Sequence, residues 1–230
     1  CGKALRQLAQ GNNCYAYGVE LDESRAEEAQ TRLHRVGFGG FFHSRISHEA
    51  FHLLFLNPPY LSVINESGGR SRHEKRFLIE SIPTLMYGGL LIYVIPYYRL
   101  TSDICRILVD NFDELTVWRF TDSEFKKFKQ IAVLGIRKKR DTELSDTLWL
   151  EQLAYNPAEI PPLTQLPESR YALPAQPMTV NTFKGERFNQ KELEQQLRRS
   201  DSFAQMMARS ELDSGVKHPL LPLSISQIGL

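Results

Sequence analysis

Asn57-Pro58-Pro59-Tyr60 is the place in this chain where residue types and spacing specify a chemistry. It follows the apolar run Phe51 to Leu56, which reads as a buried strand. Two successive prolines have no N–H to donate, so the sheet ladder must stop there, and their fixed φ stiffens the turn. The strand end thus presents an amide side chain, free carbonyls and an aromatic ring on a rigid support. Such a set suits methylation of a planar amine, whose delocalised lone pair makes it a poor nucleophile. The Asn57 oxygen and a nearby carbonyl can each accept one N–H, which favours a pyramidal nitrogen and stabilises its growing positive charge. The Tyr60 ring can stack on a flat substrate, as enzymes acting on extruded bases require. A Pro-rich strand terminator with an incidental Asn and Tyr is the plainer reading of these four residues by themselves.

Upstream, Tyr15 to Asp22 reads as a short strand ending in the acids Glu20 and Asp22. A carboxylate at a strand's C-terminal end can accept both hydroxyls of a ribose. A helix follows, with Ala26, Ala29, Leu33 and Val36 on one face and Glu23, Arg25, Glu27, Glu28 and Arg32 facing solvent. Either acid can also serve the positive N-terminus of that helix, a role that fits Asp22 better than Glu20. The chain opens on Cys1-Gly2-Lys3-Ala4, which reads as the end of a Gly-rich loop entering a helix. Gly37-Phe38-Gly39-Gly40-Phe41-Phe42 carries three glycines in four positions and reads as a loop with an anchored phenylalanine.

With these features the chain resembles the class I S-adenosylmethionine-dependent methyltransferases that carry Asn-Pro-Pro-Tyr. That group includes N6-adenine DNA and RNA methyltransferases and the glutamine methyltransferases of release factors. The resemblance spans roughly residues 1 to 140 and looks like an uncharacterised bacterial branch. It implies catalytic roles for Asn57, Pro58 and Tyr60. It places S-adenosylmethionine against Cys1, Gly2, Glu20, Leu21, Phe41 and Asn57, with Glu20 on the ribose and Phe41 or Phe42 bordering the adenine. Two departures stand out. The strand and acid that precede the Gly-rich loop are missing, with Lys3 or Ala4 where another glycine is expected, and a lost stretch explains this better than a degenerate protein. Gly40 stands where the family often has an acid that bonds the adenine.

The elements that must hold these residues follow an α/β pattern. Leu61 to Lys75 is polar and glycine-bearing, read as a mobile loop across the site. Phe77, Leu78, Ile82, Leu85 and Met86 mark a helix face broken by Gly88-Gly89, and Leu90 to Pro96 is a buried strand. Ile104, Ile107, Leu108 and Phe112 give another helix. Thr116 to Phe120 and Gln130 to Arg137 are final strands joined by an excursion over residues 121–129. The expected fold is a Rossmann-like sheet, mostly parallel with a terminal antiparallel hairpin, its faces covered and its ligands at the carboxyl ends of the strands. An irregular, Pro-rich C-terminal extension follows, so the chain divides at 140/141.

Composition bounds the remaining choices. With 230 residues, 42% hydrophobic and 24% charged, the chain can bury a substantial core. No apolar run approaches the roughly 18 residues of a membrane span. Three cysteines without metal-ligand spacing point to a reducing cytoplasm, with neither a disulfide framework nor a metal site. Residues 1–140 hold 20 Lys+Arg against 15 Asp+Glu, or +5, whereas 141–230 hold 8 against 12, or −4. Arg70, Arg72, Lys75 and Arg76 form one basic cluster. Lys126, Lys127 and Lys129, interleaved with Phe125 and Phe128, form another, a pattern suited to phosphates and stacked bases or to a plain solvated face. Eight of the 12 prolines lie after residue 150, and Asn156 to Pro177 reads as extended. A loosely helical stretch at Lys191 to Arg209 and the apolar His218 to Leu223 complete a tail expected to wrap the catalytic domain. Three functions stay open: methylation of adenine N6 in DNA or RNA, methylation of a protein glutamine, and non-catalytic binding on the same scaffold.

Overall fold

The computed structural model describes residues 2–59, 62–64, 70–140, 146–167, 171–173 and 180–186. All of these lie within the compact unit Cys1–Glu186. The tail segments Lys191 to Arg209 and His218 to Leu223 lie outside the described residues.

Helix α1 (Lys3–Ala9) leads to strand β1 (Tyr17–Glu20), helix α2 (Glu23–Gln30) and strand β2 (Arg35–Phe38). Asp22 caps α2, its carboxylate accepting from the Arg25 amide at 2.9 Å. The expected helix through Val36 stops at Gln30 instead. Leu33 and Val36 are buried beside Ala26 and Ala29 from a turn and a strand, so one apolar cluster mimics one helical face. Strand β2, which Gly37 and the following Gly39-Gly40 disguise as a loop, runs parallel to β1, Glu20 opposite Phe38.

Strand β3 (Arg45–Ile46) and β4 (Phe51–Leu56) follow. The loop expected over 61–75 contains a short antiparallel pair, β5 (Ser62–Ile64) and β6 (Arg70–Arg72), and helix α3 (His73–Ser81) begins before it was due. The Gly88-Gly89 pair does not stop a helix. Strand β7 (Leu85–Pro96) runs through it, and the register against β4 jumps from Phe51↔Leu85 to Leu53↔Leu90. Gly88 has φ +77, and a Cβ on Gly89 would lie 2.9 Å from the Met86 carbonyl. These glycines make a bulge, which local pattern reads as a break.

Helix α4 (Ser102–Asn111), strand β8 (Phe112–Arg119), helix α5 (Asp122–Phe128) and strand β9 (Gln130–Arg137) complete the larger sheet. Its order is β4-β7-β9-β8, with β4 and β7 parallel and the other two pairs antiparallel. The expectation of a mostly parallel sheet is thus met only in part: the terminal antiparallel hairpin is present, and the sheet is mixed. Strands β1 and β2 form a separate two-stranded sheet. The rings of Tyr17 and Phe51, at the starts of β1 and β4, meet at 5.5 Å, with Phe183 against both.

The core lies on one face of the larger sheet. Leu91, Tyr93, Ile95, Ile131 and Val133 alternate inward with period two and meet Leu78, Ile104 and Leu108 from α3 and α4. Helix α6 (Leu148–Tyr155) adds Leu150, and the extended segment after it adds Ile160, 1% exposed. On the opposite face Leu90, Ala132 and Leu134 pack with Leu166 and Tyr171. Strand β10 (Phe183–Lys184) pairs antiparallel with β3, and Ser47 and Thr182 exchange bonds at 2.9 Å. The described residues 146–167, 171–173 and 180–186 thus pack on the sheets through Leu150, Ile160, Leu166, Tyr171 and Phe183.

Candidate active site

Glu20 ends β1 with its side chain 22% exposed. Its Oε1 accepts from the amides of Leu21 at 3.0 Å and Asp22 at 3.2 Å, and the Arg25 guanidinium lies 3.4 Å away. Two amides and a cation fix the direction of this carboxylate beyond the strand end. Asp22 does different work. The Ser24 hydroxyl and the Arg25 amide bond its carboxyl and hold it below the usual carboxylate range, as a helix cap requires. Leu21 is 69% exposed beside them.

Gly2 enters α1 in the left-handed region, φ +67. A Cβ on Gly2 would sit 3.1 Å from the Leu33 side chain, and one on Gly18 would sit 2.9 Å from the same Leu33. Leu33 thus ties the start of α1 to the middle of β1, two residues before Glu20. Cys1 lies outside the described residues.

At the end of β2, Gly39 donates to the Glu20 carbonyl at 3.0 Å, and Phe41 and Phe42 begin a 3-10 turn. Phe41 stacks on Phe77 of α3 at 5.4 Å, and Phe42 packs on Phe77 at 4.5 Å with the Arg76 guanidinium over it at 3.9 Å. These rings join the carboxyl end of β2 to the helix that follows β4. Gly40, where an acid was missed, receives one from elsewhere: its amide donates to Glu186 Oε2 at 2.9 Å, and His43 lies 3.4 Å from Glu186 Oε1. A Cβ on Gly40 would meet that carboxylate at 3.2 Å. Sequence reading had no signal for this, since the two residues stand 146 positions apart.

Asn57 follows β4 and is exposed, Pro58 beyond it is buried, and Pro59 is exposed; Tyr60 lies outside the described residues. The ladder between β4 and β7 ends at Leu56↔Tyr93, one residue before Asn57, as the prolines dictate. Beneath this rim, Tyr93 donates to the Glu74 carbonyl at 3.0 Å, and the fully buried Glu74 carboxylate pairs with Arg99 Nε at 3.1 Å. The pair escaped sequence reading, because nothing local marks a buried glutamate in the first turn of α3.

Of the basic rim, Lys75 is tied to Asp103 at 2.8 Å and Arg76 to the Phe42 ring. Lys126, Lys127 and Lys129 are exposed on and after α5, with Lys127 Nζ 4.8 Å from the Phe128 ring. Burial, with Glu151 and Asp103 nearby, pushes the Cys105 thiol up to about 12, so it is no nucleophile. Among the described residues no group of His, Cys, Asp and Glu can hold a metal, and no helix is long and apolar enough to cross a membrane.

The described residues thus form an α/β fold with Glu20 at the end of β1 in one sheet and Asn57-Pro58-Pro59 after β4 in another. Residues 1–176 match the uncharacterised methyltransferase family DUF6094, and the chain belongs to that family. No curated protein is significantly similar. Among solved structures, one of a Listeria monocytogenes protein, described as a class I S-adenosylmethionine-dependent methyltransferase, is similar at 14% identity with a TM-score of 0.45. The similarity covers 60% of this chain and 49% of that one, so the chain spans about half the length of that protein.

Proposed function

We propose that this chain is an S-adenosylmethionine-dependent methyltransferase acting on a planar amine, most simply the N6 amine of adenine in DNA or RNA. The observation that carries the reading is the placement of Asn57-Pro58-Pro59 at the end of β4, where the ladder to β7 stops. Membership of a methyltransferase family supports the reaction type.

The cofactor's parts find matching groups. Glu20, held by two amides, suits the ribose hydroxyls, and the left-handed Gly2 at the start of α1 suits close approach of the methionine end. Glu186 supplies an acid beside Gly40 for the adenine edge, with Phe41 as neighbouring apolar wall. When bound, S-adenosylmethionine supplies the methyl group, its C–S electron pair staying on sulfur as the N–C bond forms. Asn57 Oδ1 and the Pro58 carbonyl would accept the two N–H bonds of the amine, and one proton then leaves to solvent. Tyr60 would stack on the base, and Lys126, Lys127 and Lys129 would meet phosphates.

Labelled methyl transfer from S-adenosylmethionine to separate DNA, RNA and protein pools tests this directly. The expected product is labelled nucleic acid, with Asn57→Ala lowering turnover on the order of 10²-fold and leaving cofactor affinity intact. Label in protein alone would move the assignment to a glutamine carboxamide. Label in no pool, or an unimpaired Asn57→Ala, would overturn the mechanism.

A further inference from the structure

Past the end of β7 the chain turns through Tyr97, Tyr98 and Arg99 into α4. An open cleft of about 230 Å³ lies there, lined by Tyr98, Thr101, Ser102, Glu151, Tyr155 and neighbours. Two of its walls are rings with ample free surface: Tyr98 is 50% exposed and Tyr155 is 84% exposed. The Arg99 guanidinium lies over the Tyr98 ring at 5.4 Å, and the rest of that ring, with Tyr155, is open to stack on a flat ligand. The polar groups are acidic and hydroxylic. Glu151 accepts from the Thr147 hydroxyl through Oε1 at 2.7 Å, and Asp103 stands at the adjoining start of α4.

The surroundings are basic and aromatic. Tyr98 meets Tyr97 at 5.5 Å, and Tyr97 packs on Phe125 of α5 at 5.9 Å while its amide bonds the Lys129 carbonyl at 2.9 Å. Beyond Phe125 come exposed Phe128 and the cations of Lys126, Lys127 and Lys129, with Glu124 among them and Asp122 held by Arg119. Rings therefore run from the cleft to a lysine cluster along the end of β7, the strand next to β4 and Asn57.

We infer that the Tyr98–Tyr155 cleft holds an unpaired nucleobase flanking the target, with a preference for bases that carry an exocyclic amine. This rests on the nucleic-acid reading above. The charge pattern sets the orientation: a carboxylate in the cleft repels phosphate and accepts an amino N–H, whereas the lysines of α5 attract phosphate. The exposed Tyr98 and Tyr155 rings that line the cleft can stack on any base, and the Glu151 carboxylate discriminates among bases. Thymine and uracil offer that carboxylate a carbonyl oxygen where cytosine and adenine offer an amine. Duplex DNA keeps its bases stacked and cannot fill the cleft.

The test measures anisotropy of fluorescent single strands of about a dozen nucleotides, all-adenine, all-cytosine or all-thymine, and of a duplex, bound to the full chain. The adenine and cytosine strands should bind about tenfold tighter than thymine, with the duplex weakest. Tyr98→Ala and Tyr155→Ala should each weaken the single strands about tenfold, the range for one lost stacked base, and Tyr98→Phe should not. Glu151→Gln should erase the preference, because an amide can donate to thymine while still accepting from Thr147. Equal binding of thymine and adenine strands, duplex as tight as single strand, or tight binding by both alanine variants would overturn the inference. Methyl transfer to nucleic acid separates the two failures. If label enters DNA or RNA while the cleft variants bind normally, only the cleft is wrong; if no nucleic acid is bound or labelled, the underlying reading falls too.

Discussion

Glu20 and Asp22 are two carboxylates two residues apart with separable tasks. Asp22 is spent on the start of α2, whereas Glu20 is aimed past the strand end by the amides of Leu21 and Asp22. The residues predict opposite phenotypes. Glu20→Ala should weaken S-adenosylhomocysteine by about 1–3 kcal/mol, read by calorimetry, and shrink the rise in melting temperature that ligand gives the parent protein. Asp22→Ala should cost about 1 kcal/mol of stability through the lost cap and leave ligand affinity near the parent value. A Glu20 variant binding as tightly as the parent would remove Glu20 from the site. The cap at Asp22 was legible in sequence, since helix caps follow a local rule. The acid beside Gly40 was not. A glycine in that loop says only that no acid is attached there, and Glu186 reaches the spot through a tertiary contact that no local rule encodes.

Among the elements, α3 and α4 are clamped across the top of the core by Lys75 and Asp103, 2.8 Å apart. Partial burial alone would raise the Asp103 carboxyl, but its bonds from Lys75 and Thr101 outweigh that and leave it below the usual carboxylate range. The sign of the pH effect follows. A carboxylate depressed in the folded state stabilises it above the unfolded pKa of about 3.9 and loses that contribution as pH falls through the lower folded value. Asp103→Asn should therefore melt below the parent protein at neutral pH, and the gap should narrow as the pH is lowered past the unfolded value of about 3.9. A gap independent of pH would mean that packing, rather than charge, carries the difference. Most elements here were readable from periodicity: the apolar run of β4, the helix of α4 and the alternation of β9 fall where pattern places them. The exceptions share a cause. In β2 and β7, glycines sit inside strands, Gly37 close to the Gly185 backbone and Gly88-Gly89 at a bulge, and local pattern reads glycine as an ending. Helix α2 is shorter than its apolar spacing predicts because Leu33 and Val36 reach the same cluster from a turn and from β2.

At the scale of the whole molecule, the strap from Val180 to Glu186 ties a distant part of the chain to the rim. It buries Val180 and Phe183 at 6% and 4% exposure, pairs β10 with β3, and delivers Glu186 to Gly40. Gly185 makes this possible. A Cβ there would fall 2.3 Å from the Phe38 carbonyl oxygen and 2.4 Å from the Phe38 amide, and both are backbone atoms that cannot swing aside. Gly185→Ala must therefore lift the strap from β2. Losing the burial of Phe183 and Val180 should cost roughly 2–4 kcal/mol, given about 1.5–3 kcal/mol for each fully buried apolar side chain and partial re-packing. Two readouts follow. Limited proteolysis should open the chain within 180–186 at protease levels the parent resists, and cofactor affinity should fall along with stability because Glu186 leaves the rim. Glu186→Ala, which keeps the glycine contact, should leave the strap resistant and still weaken the cofactor. A Gly185→Ala protein that melts and resists protease like its parent would show that the strap does not hold the sheet. A Glu186→Ala protein with undiminished affinity would confine the strap to a structural role.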